Sequence, residues 1–285
     1  MRNALTFDVE EYFQVEAFRS LVHDSDWGRF ESRVVPSTER LLDMLDARGV
    51  SATFFVVGWV ARRHPSLVRT IQRRGHELGC HSDVHRPIYS MDPETFRKDL
   101  TRAKQVIEDA AGVRVLGYRA PTFSIVKSTL WALDILAEEG FAYDSSVYPI
   151  HHDRYGMPGA NRFPHRLRLP KGGAIVEFPM TTFGMARRNL PFSGGGYFRL
   201  LPYALVRAAL RHVIEHDRVP AMVYLHPWEL DPDQPRLPVG GLPRFRHYVH
   251  LRSTARKLGR LLDDFAFGPV REILRERGFA EVPAA

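Results

Sequence analysis

Residues 52–85 read ATFFVVGWVARRHPSLVRTIQRRGHELGCHSDVH. The stretch opens with an apolar run rich in Val and Phe, Ala52 to Val57. A helical pattern follows around Ser66 to Arg74 and stops at Gly75. A second short run, Glu77 to Cys80, closes it. Strand, helix and strand in this order make one crossover unit between parallel strands. The pattern continues on both sides. Ala4 to Phe7 is a candidate strand, and Ser37 to Arg48 a helix with Leu41, Leu42 and Leu45 on one face. Downstream, Asp92 as N-cap and Pro93 at the first helical position open a helix whose apolar face runs Phe96, Leu100, Ala103, Ile107. Gly112 follows its end. Then come a strand (Val113 to Gly117), a helix (Ser128 to Glu139) and a strand (Phe141 to Tyr143). Such alternation predicts an α/β fold, a parallel sheet or barrel with crossover helices. Chemistry in such folds sits where strands reach their C-terminal ends.

The stretch from Ser145 to Leu201 differs. It is dense in Pro, Gly, His and Arg, with one strand-like run from Ala174 to Phe178, and reads as loops over the mouth of the fold. Regular pattern returns with a helix (Tyr203 to His216) and a strand (Ala221 to Leu225). A Pro-rich loop (Leu230 to Pro243) and a helical tail after Ser253 follow. We expect residues 1–285 to form one catalytic domain: a core over about 3–230, a loop insertion over about 145–201 and a helical extension over about 250–285. Hydrophobic residues at 44% and charged residues at 26% place the chain among ordinary globular proteins. The net charge of +7 is spread along the chain without a basic block, which argues against a nucleic-acid partner. One cysteine, Cys80, excludes an intrachain disulfide and fits a reducing compartment. The first residues lack the apolar stretch of a signal peptide, and no run reaches the roughly 18 apolar residues of a membrane span. A cytoplasmic location is the expectation.

Polar clusters follow five of the candidate strands. His81-Ser82-Asp83-Val84-His85 follows Cys80, and two His four apart can reach one ion from a tight turn. Cys80 is either a third ligand or a small core residue. Asp8-Val9-Glu10 follows the first strand. Residues two apart on a strand point the same way, so both acids can enter one pocket, one on a metal and the other beside its water. Arg119-Ala120-Pro121-Thr122-Phe123 follows the fourth strand, and its Arg is suited to hold a buried carboxylate ionised, or lies in a surface turn. Asp144 follows the next strand. Leu225-His226-Pro227-Trp228-Glu229 offers His226 as a general acid and Trp228 as a sugar-stacking or packing ring.

Together these clusters resemble the polysaccharide deacetylase family, the NodB-homology domain of carbohydrate esterase family 4. Thr6-Phe7-Asp8 with Glu10 resembles its first motif, His81 to His85 the second, Arg119 to Phe123 the third, Asp144 the fourth and Leu225-His226 the fifth. The common form has two adjacent Asp residues in the first motif, whereas this chain has an acid-x-acid version. The opening Phe7 to Tyr12 and the Gly194-Gly195-Gly196-Tyr197-Phe198 segment look like the branch found beside exopolysaccharide synthesis loci. The resemblance implies a distorted (β/α)7 barrel. It also implies a divalent ion, Zn2+ or another transition metal, on Glu10, His81 and His85. Asp8 would be the base, Arg119 its partner, and His226 the acid, oriented by Asp144. Pro121, Phe123, Leu225, Trp228 and Tyr197 would contact substrate. The implied activity is removal of N-acetyl groups from the amino sugars of a bacterial polysaccharide or its precursor. Two other readings stay open: a cyclic-amide hydrolase on the same scaffold, and a glycan-binding protein without catalysis.

Overall fold

The computed structural model describes residues 1–152, 154–185, 188–279 and 282. Its strands are β1 (Asn3–Val9), β2 (Thr53–Val56), β3 (Glu77–Cys80), β4 (Gly117–Tyr118), β5 (Tyr143–Asp144), β6 (His165–Arg168), β7 (Ala174–Glu177), β8 (Thr182–Met185), β9 (Arg188–Pro191), β10 (Met222–Leu225) and β11 (Phe267–Gly268). The main sheet runs β10-β1-β2-β3-β4-β5-β7-β6, and β11 pairs with the start of β1. From β10 through β7 the neighbours pair in parallel, and β6 is an antiparallel edge. Among the described residues the two ends of this order do not pair, so the curled parallel sheet forms a half-barrel.

Every residue of β1, β2, β3 and β10 is buried, as a parallel sheet covered on both faces requires. Helices Gly58–Arg63, Pro65–Arg73 and Trp131–Glu138 pack on the long helix Pro93–Ala111. That helix starts as its sequence dictates. Asp92 accepts a hydrogen bond from the Thr95 amide (2.7 Å), Phe96, Leu100, Ala103 and Ile107 are buried, and Gly112 ends it at φ +70°. The register aligns strand ends: Asp8 lies beside Phe55, Val56 beside Cys80, Cys80 beside Tyr118, and Tyr118 beside Asp144. Because the strands are parallel, everything that follows them opens on one rim.

Four departures from the sequence expectations stand out. The fourth strand begins at Gly117 rather than Val113, because the Val115 amide donates to Glu108 Oε1 (2.8 Å) instead of a ladder. The helix from Tyr203 ends at His212 and gives way to a wider turn, Val213–Asp217. The 145–201 segment is more than loops. Its strands β6 and β7 extend the main sheet, while β8 and β9 form a separate hairpin; residues 153, 186 and 187 lie outside the described residues. Its Arg-rich β6 hides from a hydrophobicity reading because edge strands tolerate charge. Helical structure resumes at Gly241–Tyr248, before the expected tail, and continues through Leu251–Asp264 and Val270–Glu276. Residues 280, 281 and 283–285 of that tail lie outside the described residues. No described helix is long and apolar enough to cross a membrane.

One glycine bears on the site. A Cβ on Gly79 would strike the Phe55 ring, and that ring lies 4.3 Å beneath the guanidinium of Arg119. Gly79→Ala is expected to destabilise the protein by about 1–3 kcal/mol through overpacking. Urea unfolding checks it; an unchanged midpoint would show that the ring yields freely.

Candidate active site

Glu10, His81 and His85 meet. One donor atom from each lies within 4.8 Å of the other two. Glu10 is the first residue after β1 and lines the same cleft as Asp8 on that strand; Glu11 turns away and accepts from the Arg33 amide (2.9 Å). The His81–His85 loop is held by the start of helix Gly58–Arg63, where the amides of Gly58 and Trp59 donate to the carbonyls of Ser82 and Asp83 (2.9 and 2.8 Å). Ser82 and His85 adopt positive φ (65° and 49°), a strained backbone of the kind that clusters at functional sites.

Glu10 divides its two oxygens. Oε1 accepts from Trp228 Nε1 (3.1 Å). Oε2 is 2.5 Å from His85 Nε2 and 3.9 Å from His81 Nε2, yet it is buried without a hydrogen-bond donor. His81 Nδ1 meets the Arg119 carbonyl at 2.7 Å, which leaves Nε2 facing Glu10. Burial lowers the His81 pKa to about 4, so its imidazole is neutral at pH 7, as a ligand must be. Burial opposes ionisation of Glu10, but His85, His226 and His81 hold it well below the usual carboxylate range. One carboxylate and two imidazoles around an orphaned buried oxygen fit a divalent transition metal with an open position. Cys80 is outside this group; it is buried in the core and burial raises its thiol pKa. A second set of donors, His212, His216 and Asp217, lies nearer the surface, where Arg162 already engages Asp217 (3.2 Å).

Asp8 faces the same cleft. Arg119 is completely buried and donates from Nη1 to Asp8 Oδ1 (2.7 Å) and Thr6 Oγ1 (2.8 Å), and from Nε to the Ser145 carbonyl (3.1 Å). A guanidinium so placed keeps a buried carboxylate ionised and fixed. His226 stands opposite, its Nε2 3.9 Å from Asp8 and 3.6 Å from Glu10. Burial works against its charge, but Glu10, Glu229 and Asp8 outweigh that and push its pKa up to about 9.

Residues 19–141 match the polysaccharide deacetylase family model, and residues 145–275 a domain of unknown function (DUF3473). Over residues 19–141 the chain is similar to a polysaccharide deacetylase domain. Among similar proteins, a peptidoglycan deacetylase-like protein of Gibberella zeae is 30% identical over 131 residues, 45% of this chain and 37% of that protein. A peptidoglycan-N-acetylglucosamine deacetylase of Bacillus cereus is 29% identical over 98 residues, 34% and 36% of the two chains. The chain thus matches little more than a third of the length of these curated relatives. A Mycobacterium smegmatis protein solved as a candidate polysaccharide deacetylase superposes with a TM-score of 0.62 at 25% identity, covering 96% of this chain and 88% of its own. An allantoinase superposes at 0.59 with 16% identity over 99% and 91%, a likeness of fold alone.

The deacetylase domain match contains His81, His85 and Arg119 but begins after Asp8 and Glu10, and His226 falls in the second match. Only folding unites them. The structure corrects one expected role. Asp144 does not face His226. It accepts from Ser146 Oγ (2.6 Å) and Ser146 N (3.2 Å), and Ser146 Oγ in turn takes the Ala120 amide (2.8 Å), so Asp144 braces the Arg119 loop. The acid facing His226 Nδ1 is Glu229, 3.6 Å away and itself held by buried Arg199 (3.0 Å). Of the expected substrate contacts, Phe123 and Trp228 line the cleft, and Tyr197 lines the neighbouring compartment. Pro121 and Leu225 are buried behind it. Sequence reading missed Glu229, Arg199 and His247. Glu229 left a trace, three positions after His226, but Arg199 and His247 left none.

Trp228 is stacked between His226 (4.9 Å) and His247 (4.3 Å), which fixes its N–H on Glu10. Partners that orient a ligand typically tune metal affinity by about 10–100-fold. Trp228→Phe is therefore expected to weaken the affinity of these donors for a divalent ion by about tenfold. Competition with a chromogenic chelator reads this, and an unchanged affinity would show the bond to be idle.

Proposed function

We propose that this chain is a metal-dependent hydrolase that removes N-acetyl groups from amino sugars of a bacterial polysaccharide or its precursor. The reading rests on one observation: a carboxylate and two imidazoles, a carboxylate clamped by a buried arginine, and the His226 imidazole all open on one cleft of about 190 Å3. We take Zn2+ as the ion and an exopolysaccharide as the polymer, the latter on the resemblance of the Phe7 to Tyr12 opening. A divalent ion held by Glu10, His81 and His85 supplies Lewis-acid polarisation of the amide carbonyl and of the attacking water.

The chain's own groups do the rest. Asp8 Oδ2 accepts the water's proton, while Arg119 on Oδ1 keeps the carboxylate ionised and aimed. Water's oxygen bonds to the acyl carbon. His226, which faces Asp8, Glu10 and Glu229, then delivers a proton to the sugar nitrogen as the C–N bond breaks. Acetate and a free amine leave, and no covalent enzyme intermediate forms. Phe123 lines the cleft as an apolar wall beside the sugar.

The test is acetate release from N-acetylated oligosaccharides, with metal analysis of the purified protein and hydantoin-type rings as the competing substrate. Acetate from the oligosaccharides, lost on chelation and restored by Zn2+, is the expected result. Ring opening without acetate release would move the chain to cyclic amides. Bound metal with neither reaction would leave a glycan-binding protein.

A further inference from the structure

The cleft above the metal donors is small. Its volume of about 190 Å3 falls below the roughly 300–1,000 Å3 of pockets that enclose a small-molecule ligand. It receives an N-acyl sugar end, and the remainder of a substrate must lie beside it. A second compartment of about 400 Å3 adjoins it and shares Glu16, Thr122, Tyr155, Tyr224 and Arg246 with it. Most of that compartment's lining, including Tyr197, Leu242 and Phe245, comes from the 145–275 segment.

Two properties define what this compartment takes. Its walls are rings: Tyr155 stacks on Tyr148 (5.8 Å, 12° between planes) and on His152 (3.8 Å, 13°), which stiffens one side, while Phe245 is half exposed on the other. Flat apolar faces suit sugar rings. Its charge is positive and uncommitted. Arg246 stands where the compartment meets the cleft, and Arg154 where it meets the outer groove. Neither guanidinium has an ion-pair partner among the described residues. The carboxylate that also lines the space, Glu16, is paired with Arg19 (3.4 Å). The backbone that carries Arg246 is held in place, because buried Arg199 donates to its carbonyl (2.9 Å) and to those of His247 and Val249 (2.9 and 2.7 Å).

We propose that this compartment is a subsite for an anionic group, a carboxylate or a phosphate, on the sugar unit next to the one being deacylated. The proposal rests on the deacetylase reading for what occupies the cleft, and it adds that the natural substrate is acidic. Arg246 and Arg154 supply the positive charge at the two ends of the compartment, and its ring-lined walls take the sugar that bears the anion.

Binding is measured by calorimetry on chelator-treated protein, so that no turnover is needed. Hyaluronan tetrasaccharide supplies carboxylates and is compared with neutral N,N′,N″,N‴-tetraacetylchitotetraose. N-acetylglucosamine 1-phosphate, compared with N-acetylglucosamine, supplies phosphate. At low salt at least one acidic probe is expected to bind at least about tenfold more tightly than its neutral partner, the size of one charge-assisted hydrogen bond. The better of the two acidic probes identifies the anion. The double variant Arg154→Gln/Arg246→Gln is expected to erase the preference, and Arg246→Glu to reverse it. Both positions are exposed, so an unchanged thermal midpoint is expected to accompany the loss. Equal binding of acidic and neutral probes, no binding of any probe, or a preference that survives the double variant would each overturn the subsite. A preference found in a protein that releases no acetate from any glycan would keep the subsite and discard the deacetylase reading.

Discussion

His81→Ala is expected to empty the metal centre and to lower acetate release by about a thousandfold or more. Losing an orienting partner of a ligand typically costs about 10–100-fold, and losing the ligand itself costs more. His81 is one of only three donors, and its Nε2 is committed by the bond from Nδ1 to the Arg119 carbonyl. Alanine leaves Glu10 and His85, a pair that holds an ion weakly. The variant also tests fold and function separately. His81 is 2% exposed, and its loss leaves the Arg119 carbonyl without its ring partner, a cost of about 1–3 kcal/mol. Thermal unfolding reads that cost, and metal analysis after dialysis against a chelator reads the ion. The donors at His212, His216 and Asp217 are removed from the count by running the same measurement on His216→Ala. Full metal content with retained activity in His81→Ala would remove the proposed centre.

Asp8→Asn should do the opposite to the metal and nearly the same to the rate. Asp8 is not a member of the donor group, so the ion stays. The amide cannot take a proton from water, and loss of a general base typically costs about 10²–10⁴-fold. The drop is expected in kcat with KM little changed, because Asp8 acts on the water rather than on the sugar. Asparagine still offers Oδ1 to Arg119, but the buried guanidinium loses its charged partner. Stability is expected to fall by about 2 kcal/mol, which steady-state assays well below the unfolding midpoint leave out of the rate. A turnover equal to the parent's would show that Asp8 is not the base.

The pair of variants separates two acids that sit two residues apart. Both enter the cleft, and no property of Asp8 or Glu10 in isolation says which takes the ion. Position decides. Glu10 Oε2 faces His85 and His81, whereas Asp8 Oδ1 faces Arg119. The same holds at the other wall. His226 has three carboxylates around it, and the one on its Nδ1 side is Glu229, not Asp144.

Much of this was legible in the chain itself. A run of buried apolar residues followed by a helical period, repeated, forces parallel strands, because a crossover helix returns the chain to the same end of the sheet. The Asp92-Pro93 start and Gly112 end of the long helix are local chemistry and needed no neighbours. Parallel strands also place every polar cluster that follows a strand on one rim, so Asp8, Glu10, His81, His85, Arg119 and His226 could be gathered before any coordinates. What only the tertiary structure decided is pairing across that rim. Asp144 and Glu229 are both acids near strand ends, and spacing along the chain carries no information about which one a given imidazole meets. Arg199 lies in a segment whose local pattern reads as loop, yet folding buries it to hold Glu229 and the carbonyls of 246–249 together. Its role exists only because three distant pieces of chain converge on one guanidinium, and a hydrogen bond between residues far apart in sequence leaves no periodicity to read.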